Sequence, residues 1–169
     1  MRVSPVAYAF DDLETVISEA TRSAECTHNH PEGIKGAQAI AAAIFWARAG
    51  RTKEDIRGEM ENRFGYCFTE TVHSLHGSYR FDETCQGSVP QAITAFLESH
   101  DFESAIRNAV YIGGDSDTLA CIAGGIAEAY YGGVPLPIRE FVFQRLDERL
   151  SGVVQKFLAK FPDHKSNPG

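Results

Sequence analysis

Two aspartates and a threonine, Asp115, Asp117 and Thr118, follow closely after the pair Gly113-Gly114. The residues after Thr118 are small or apolar as far as Ala127, which predicts a buried helix that begins near Asp115. On a regular helix the two carboxylates would point in nearly opposite directions. If Asp115 precedes the helix, its carboxylate can turn towards Asp117 and Thr118, and glycines permit that turn. Such oxygens suit Mg²⁺ or a similar hard cation and not thiol-loving metals.

The same two acids also fit a purely structural role. Aspartates at a helix N-terminus cap its free N–H groups and interact favourably with its dipole, so capping and metal binding both stay open. An EF-hand is excluded, because the twelfth position counted from Asp115 is Ile126 and not an acid. Two acids and one hydroxyl do not complete an octahedron, so water, substrate or other protein oxygens would have to supply the rest.

Histidines form a second group of candidates. His28 and His30 lie in a segment predicted to be a polar loop, where they could contact a ligand or hydrogen-bond to the nearby backbone. A zinc site would need a third soft ligand, and none is evident. His73 and His76 fall in an irregular segment and are predicted to be structural. The sequence contains no nucleophile elbow, P-loop or dinucleotide-binding glycine motif.

Helical spacing of apolar residues dominates the chain, and strand-like alternation is absent. The sequence therefore predicts one all-α domain of several helices over residues 1–162, followed by a loose polar tail over 163–169. Thr52 and Asp55 predict a capping box, and Ser88 with Pro90 predicts another helix start. The predicted helices cover 10–21, 34–49, 52–63, 88–99, 101–111 and 115–131, with one or two more within 137–161; the predicted loop covers 26–33 and the irregular segment 64–87.

Composition narrows the classes of function. The chain has 169 residues, a net charge of −7 and four cysteines. This charge argues against a broad nucleic-acid-binding surface, although a few local donors could still hold a small anion. No apolar run approaches the roughly 18 residues of a membrane span, and the first residues do not resemble a secretion signal. The scattered cysteines argue against structural zinc and a disulfide framework, and they favour free thiols in the cytoplasm.

Segment 113–118, Gly-Gly-Asp-Ser-Asp-Thr, together with the Ala-Glu-Ala-Tyr-Tyr-Gly segment 127–132, resembles the C-terminal signature of the ADP-ribosylglycohydrolases. Other similarities occur in the family's order along the chain: Met1-Arg2, Thr27-His28-Asn29-His30-Pro31, Gly33 with Gly36-Ala37, and Ser88-Val89-Pro90. The resemblance implies an all-α fold and a two-Mg²⁺ centre. It also implies cleavage of the N- or O-glycosidic bond between ADP-ribose and a modified side chain or small acceptor.

By the same resemblance, residues of this chain take particular roles. Asp115, Asp117 and Thr118 would be metal ligands, and His28 would lie beside ADP-ribose. Met1 and Arg2 match the segment that lines the diphosphate site in the family. ADP-ribose, free or attached to a protein, is the partner that this resemblance implies.

The sequence also departs from the family's pattern. The family's early Gly-Asp-x-x-Gly block, its catalytic acid and its Thr-Asp-Asp-Thr block do not occur in this chain. We therefore expect the chain to begin inside a domain, with part of the metal shell missing and the catalytic residue unassigned. Whether the chain alone is an enzyme stays open. The alternatives are a hydrolase completed by an N-terminal segment, a non-catalytic ADP-ribose- or metal-binding remnant, and a structural protein with the same fold.

An incomplete domain would leave apolar surface uncovered, especially along the apolar helices predicted at 34–49 and 119–131. At ~25 cal/mol per Å², a few hundred Å² of such surface corresponds to several kcal/mol. A patch of this size favours self-association or binding of a complementing chain. The sequence therefore predicts a homo-oligomer or a complex with a complementing chain.

Overall fold

The structure is a computed structural model that describes residues 1–161, in which ten α-helices and no strands occur. This confirms the all-α prediction, while the tail predicted over 163–169 lies outside the described residues. In chain order the helices are α1 (Val6–Ala9), α2 (Leu13–His28), α3 (Pro31–Arg48), α4 (Lys53–Phe64), α5 (Val72–Leu75), α6 (Cys85–Leu97), α7 (Phe102–Ile112), α8 (Ser116–Tyr131), α9 (Leu136–Phe143) and α10 (Glu148–Lys160).

Helices α3 and α8 form the centre of the fold. Every residue from Ala39 to Ile44 of α3 is buried, and α8 packs against α3, α6 and α7. Small residues allow this close packing: a Cβ atom at Gly124 would lie 2.8 Å from Cδ1 of Ile106 on α7. The mostly apolar composition of α3 and α8 matches this central position, as the sequence predicted.

The junction between α2 and α3 is shorter than the sequence predicted. Only Asn29 and His30 separate the two helices, so the predicted loop over 26–33 is wrong. Pro31 occupies the first position of α3, where its missing N–H costs no hydrogen bond. Gly33 lies inside α3, and a Cβ there would stand 2.8 Å from the His28 carbonyl oxygen. The glycine therefore allows a close approach of the two helices and does not end a helix.

Helix starts are specified by short polar side chains. Thr52 and Asp55 form the predicted capping box of α4, and Asp101 forms another with Ser104 at α7. The start predicted at Ser88 is wrong, because Thr84 caps α6 and Ser88 lies inside that helix. The Ser88 hydroxyl donates to the Thr84 carbonyl oxygen at 2.7 Å, a bond typical of serine within a helix.

The last two helices, α9 and α10, differ from the others because neither contains a buried residue. Phe157 of α10 packs edge-on against Tyr8, with the ring centroids 6.4 Å apart. Large apolar side chains on both helices remain exposed, such as Leu136 at 64% and Val153 at 60%. Within residues 1–161, no helix has both the length and the apolar character needed to cross a membrane.

Candidate functional site

A cavity of about 340 Å³ lies where the start of the chain, the end of α2 and the N-terminal parts of α3, α6 and α8 meet. This volume is within the usual range of small-molecule sites. Asp117 is exposed and is not part of the lining. The cavity brings together five of the six residues to which the resemblance assigns a ligand or metal role: Met1, Arg2, His28, Asp115 and Thr118.

Arg2 fastens the start of the chain to the C-terminal end of α2. Its Nη2 donates to the Ser23 carbonyl oxygen at 2.9 Å, to Cys26 Sγ at 3.3 Å and to Thr27 Oγ1 at 2.6 Å. The C-terminal end of a helix carries partial negative charge, so a guanidinium there is electrostatically favourable. Val3, buried at 3% exposure, anchors the same segment in the core.

The two histidines of the His28-Asn29-His30 segment have different surroundings. His28 is the last residue of α2 and lines the cavity, and its Nδ1 lies 2.7 Å from Thr27 Oγ1. His30 is the N-cap of α3, where its Nδ1 accepts a hydrogen bond from the Glu32 N–H at 3.2 Å. The helix junction, which the sequence analysis missed, therefore gives the two imidazoles separate partners.

The other pair of candidate histidines lies outside the cavity lining. His76 stacks on the Tyr111 ring with centroids 3.9 Å apart, and its Nδ1 lies 2.5 Å from the Tyr111 carbonyl oxygen. His73 is exposed on α5. The contacts of His76 are compatible with the structural role that the sequence predicted for it.

The two acids at the start of α8 lie close together. Asp115 is the N-cap residue with non-helical backbone angles (φ −79°, ψ 62°), and its side chain makes no capping hydrogen bond. The Asp115 side chain, which lies within reach of the Asp117 carboxyl group, holds the pKa of Asp117 below its ordinary value. The Thr118 N–H lowers this pKa further, by donating to Asp117 Oδ1 at 3.0 Å. The turn of Asp115 towards Asp117 is the geometry that the sequence allowed for a non-helical Asp115.

Gly114 and Tyr79 support this turn. Gly114 has a left-handed backbone (φ +61°), and a Cβ there would lie only 2.4 Å from Cε1 of Tyr79. Burial raises the pKa of the Tyr79 hydroxyl, and the nearby negative charges of Asp82 and Asp115 raise it further. No sequence pattern indicated Tyr79, because it lies in the irregular segment 64–87.

The chemistry of the α8 oxygens fits a hard divalent cation, but their number falls short. Asp115 and Asp117 offer carboxylate oxygens and Thr118 offers a hydroxyl, the donor types that Mg²⁺ prefers. Among residues 1–161, no group of three or more His, Cys, Asp or Glu side chains is arranged to hold a metal ion. Any cation at this position therefore needs several further oxygens from other sources.

Several lining residues were not singled out as site residues by the sequence analysis. Glycines on the first turns of α3 let α6 approach, since a Cβ at Gly36 would lie 3.0 Å from the Cys85 Cβ. Ser88, predicted only as a cap, also lines the cavity. The spacing of small residues at 33, 36 and 37 was the sequence signal that could have indicated a close approach of another helix to α3. The additional lining includes Ser23, Gly33, Gly36, Cys85, Ser88 and Ile122.

Comparison with known proteins gives consistent matches. A family model described as ADP-ribosylglycohydrolase matches residues 1–167. Human ADP-ribosylhydrolase ARH3 is 29% identical over 177 residues, which covers 78% of this chain and 49% of the relative. The bovine protein of the same name is 29% identical over 187 residues, covering 81% and 50%. An uncharacterized protein of Archaeoglobus fulgidus is 28% identical over 144 residues, covering 76% and 47%. The chain spans about half the length of these curated relatives.

Proposed function

This chain belongs to the ADP-ribosylglycohydrolase family, and from that premise we propose that its cavity binds ADP-ribose, either free or attached to a protein. The observation that carries the proposal is the grouping of Met1, Arg2, His28, Asp115 and Thr118 around one cavity. These residues come from distant parts of the sequence, and each is a position at which the chain resembles the family's ligand or metal segments. The names of the ARH3 relatives point to the same class of substrate.

The distribution of charge in the cavity suits a ligand with two different ends. Arg2 and His28 lie at the α2 side, where a cation and a hydrogen-bond donor can face the diphosphate. Asp115 and Thr118 lie at the α8 side, where their oxygens can face a cation together with ribose hydroxyls. This local arrangement allows an anionic ligand to bind despite the net charge of −7.

Magnesium is the cofactor that we propose for the α8 side. Asp115, Asp117 and Thr118 would hold the ion, which in such a site orients the sugar and activates water. These three residues lack the number of oxygens that an octahedral ion requires. We propose that the remaining oxygens come from water, from the ligand and from a complementing polypeptide segment that corresponds to the N-terminal part of the relatives.

The proposed reaction is hydrolysis of the bond between the anomeric carbon of the ribose and the nitrogen or oxygen of its acceptor. A water oxygen bonds to the anomeric carbon, the glycosidic bond breaks, and a proton passes to the leaving group. The catalytic acid of the family has no counterpart in this chain, so that residue would also come from the complementing segment. Without it, the chain would be a non-catalytic ADP-ribose-binding protein, and this is the alternative function.

We propose a cytoplasmic location, since the scattered spacing of the four cysteines suits a reducing compartment. We also propose that it acts as a homo-oligomer or together with a complementing chain. Exposed apolar side chains on α9 and α10 support this association.

Calorimetric titration with ADP-ribose, with and without Mg²⁺, tests the proposed binding. We expect saturable binding that Mg²⁺ strengthens. Replacement of His28 by alanine should weaken binding about 10- to 100-fold, the effect of losing a hydrogen bond to a charged ligand. The matched control is His73→Ala, since His73 is exposed outside the cavity lining. Absence of binding under both conditions would overturn the proposal and leave the structural alternative.

A hydrolysis assay separates binding from catalysis. Release of ADP-ribose from a mono-ADP-ribosylated protein is measured with the chain alone in the presence of Mg²⁺. We expect no release, because the chain lacks the family's catalytic acid. Sustained release that requires Mg²⁺ and is lost in Asp115→Asn would show that a complementing segment is unnecessary.

A further inference from the structure

The end of α2 contains a chain of hydrogen bonds that does not belong to the helix itself. Arg2 Nη2 donates to Thr27 Oγ1 at 2.6 Å, and the same oxygen lies 2.7 Å from Nδ1 of His28. All three side chains are at the cavity or next to a residue that lines it. The direction of the second hydrogen bond determines which imidazole nitrogen carries the proton.

The donors and acceptors present favour one direction. A guanidinium can only donate, so Thr27 Oγ1 must accept from Arg2. The hydroxyl keeps one proton to donate, and its hydrogen bonds among the described residues join it only to Arg2 and His28. The Ser23 carbonyl oxygen, one turn back, already accepts from Arg2 and from the Cys26 thiol. With that carbonyl oxygen occupied, His28 Nδ1, 2.7 Å away, is the acceptor among the described residues that the hydroxyl proton can reach.

We propose that Thr27, held by Arg2, is a positioning residue that fixes neutral His28 in the tautomer with its proton on Nε2. Nε2–H is then the donor that His28 offers to an occupant of the cavity. The group to which it donates must be an acceptor oxygen, such as a phosphate or hydroxyl oxygen. A protonated Nε2 cannot bind a metal, so His28 acts as a hydrogen-bond donor and not as a metal ligand.

The identity of the occupant rests on the proposed function, whereas the tautomer does not. Long-range ¹H–¹⁵N NMR spectra of protein labelled at histidine report the protonation of each ring nitrogen. His28→Gln identifies the signals of His28 among the six histidines. In the unmodified protein we expect the neutral ring to show an unprotonated, hydrogen-bonded Nδ1 and a protonated Nε2.

Thr27→Val tests the relay, because valine keeps the branched shape and removes the hydroxyl. We expect the ¹⁵N chemical shift of His28 Nδ1 to change to the value of a nitrogen without this hydrogen bond. We also expect the tautomer with the proton on Nδ1 to become detectable. Affinity for ADP-ribose should fall about three- to tenfold as the ring loses its fixed orientation. Thr27→Ser should restore both the spectrum and the affinity. The matched control is Thr69→Val, at an exposed threonine outside the cavity lining.

The outcomes separate this proposal from the proposed function. The positioning role would be overturned if Nδ1 of His28 is protonated in the unmodified protein. It would also be overturned if Thr27→Val leaves the ¹⁵N chemical shifts of His28 unchanged. A different result is that neither the unmodified protein nor any variant binds ADP-ribose, while the expected tautomer is present and is lost in Thr27→Val. This result would overturn the proposed ligand and support the positioning role. Circular dichroism establishes that each variant is folded before the spectra are compared.

Discussion

Asp115 and Asp117 have unequal positions although they lie two residues apart. Asp115 is half-buried and lines the cavity, whereas Asp117 is exposed. Asp117 also accepts from the Thr118 N–H, and this bond serves the helix start. Asp115 makes no such capping bond. The capping interpretation therefore accounts for part of the role of Asp117. A substitution of Asp115 is the more direct test of ligand binding.

Replacement of Asp115 by asparagine is expected to abolish the strengthening of ADP-ribose binding by Mg²⁺. The amide keeps the size of the side chain and removes the negative charge that a hard cation requires. Calorimetric titrations with and without Mg²⁺ provide the measurement. Asp11→Asn, at an exposed acid outside the cavity lining, is the matched control. An undiminished effect of Mg²⁺ in Asp115→Asn would contradict the assignment.

Gly114→Ala is expected to destabilise the protein and to weaken binding of ADP-ribose. A left-handed backbone costs an L residue about 1–2 kcal/mol, and the new methyl group would collide with the Tyr79 ring. Urea unfolding measures the first effect and calorimetry the second.

The control for this substitution is Gly58→Ala in α4, where a Cβ meets nothing within 4 Å. There alanine should stabilise the protein by up to about 1 kcal/mol, because glycine is a poor helix former. Equal effects of the two substitutions on stability would show that the conformation of Gly114 is not required.

At the level of helices, the sequence predicted elements whose cause is local and missed those whose cause is tertiary. The capping box of α4 and the apolar centre of α8 follow from short-range patterns. The start of α6 at Cys85 does not, because Pro90 and Ser88 looked like a first turn and instead lie inside a buried helix. Similarly, Pro31 and Gly33 suggested a loop, although the close approach to His28 explains the glycine.

The same distinction applies to the site. The pattern around Asp115 indicated the metal-binding candidates, and the resemblance added Met1, Arg2 and His28. Nothing in the sequence indicated Tyr79 or the hydrogen bonds of Arg2 to the end of α2. Those contacts join residues far apart in the chain, so only the packed structure reveals them.

The N-cap of α7 leads to a prediction about pH. Hydrogen bonds from Ser104, above all from its backbone N–H at 2.6 Å, hold the pKa of Asp101 below its ordinary value. A carboxyl group with a lowered pKa stabilises the folded state above the pKa of the unfolded chain, about 3.9. This contribution is lost as the pH falls through the pKa of the folded state.

Asp101→Asn removes the titrating group and keeps a residue that can cap a helix. We expect the variant to be less stable than the unmodified protein at pH 7, with a difference that narrows as the pH falls below about 4. Urea unfolding over this pH range measures the difference, and Asp11→Asn again serves as control. A difference that stays constant with pH would contradict the proposed role of the Asp101 charge.

At the scale of the whole molecule, buried and exposed apolar surfaces are unevenly distributed. The central helices α3 and α8 are covered by their neighbours, so they do not provide the open surface that the sequence analysis expected of them. The exposed apolar side chains concentrate instead on the last two helices: Leu136, Phe141, Val142, Leu150, Val153 and Val154. Any association through apolar surface is therefore expected at α9 and α10.

Sedimentation velocity tests this expectation directly. A chain of 18.6 kDa that associates through α10 should sediment as a larger species whose proportion rises with concentration. Leu150 and Val153, which lie three residues apart on α10, are 52% and 60% exposed. Replacement of both by glutamate should convert the protein to monomer, because burying two unpaired charges in an interface is unfavourable. Since neither side chain is buried, helicity measured by circular dichroism should change little. A monodisperse monomer before any substitution would exclude self-association and leave a different, complementing chain as the partner for this surface.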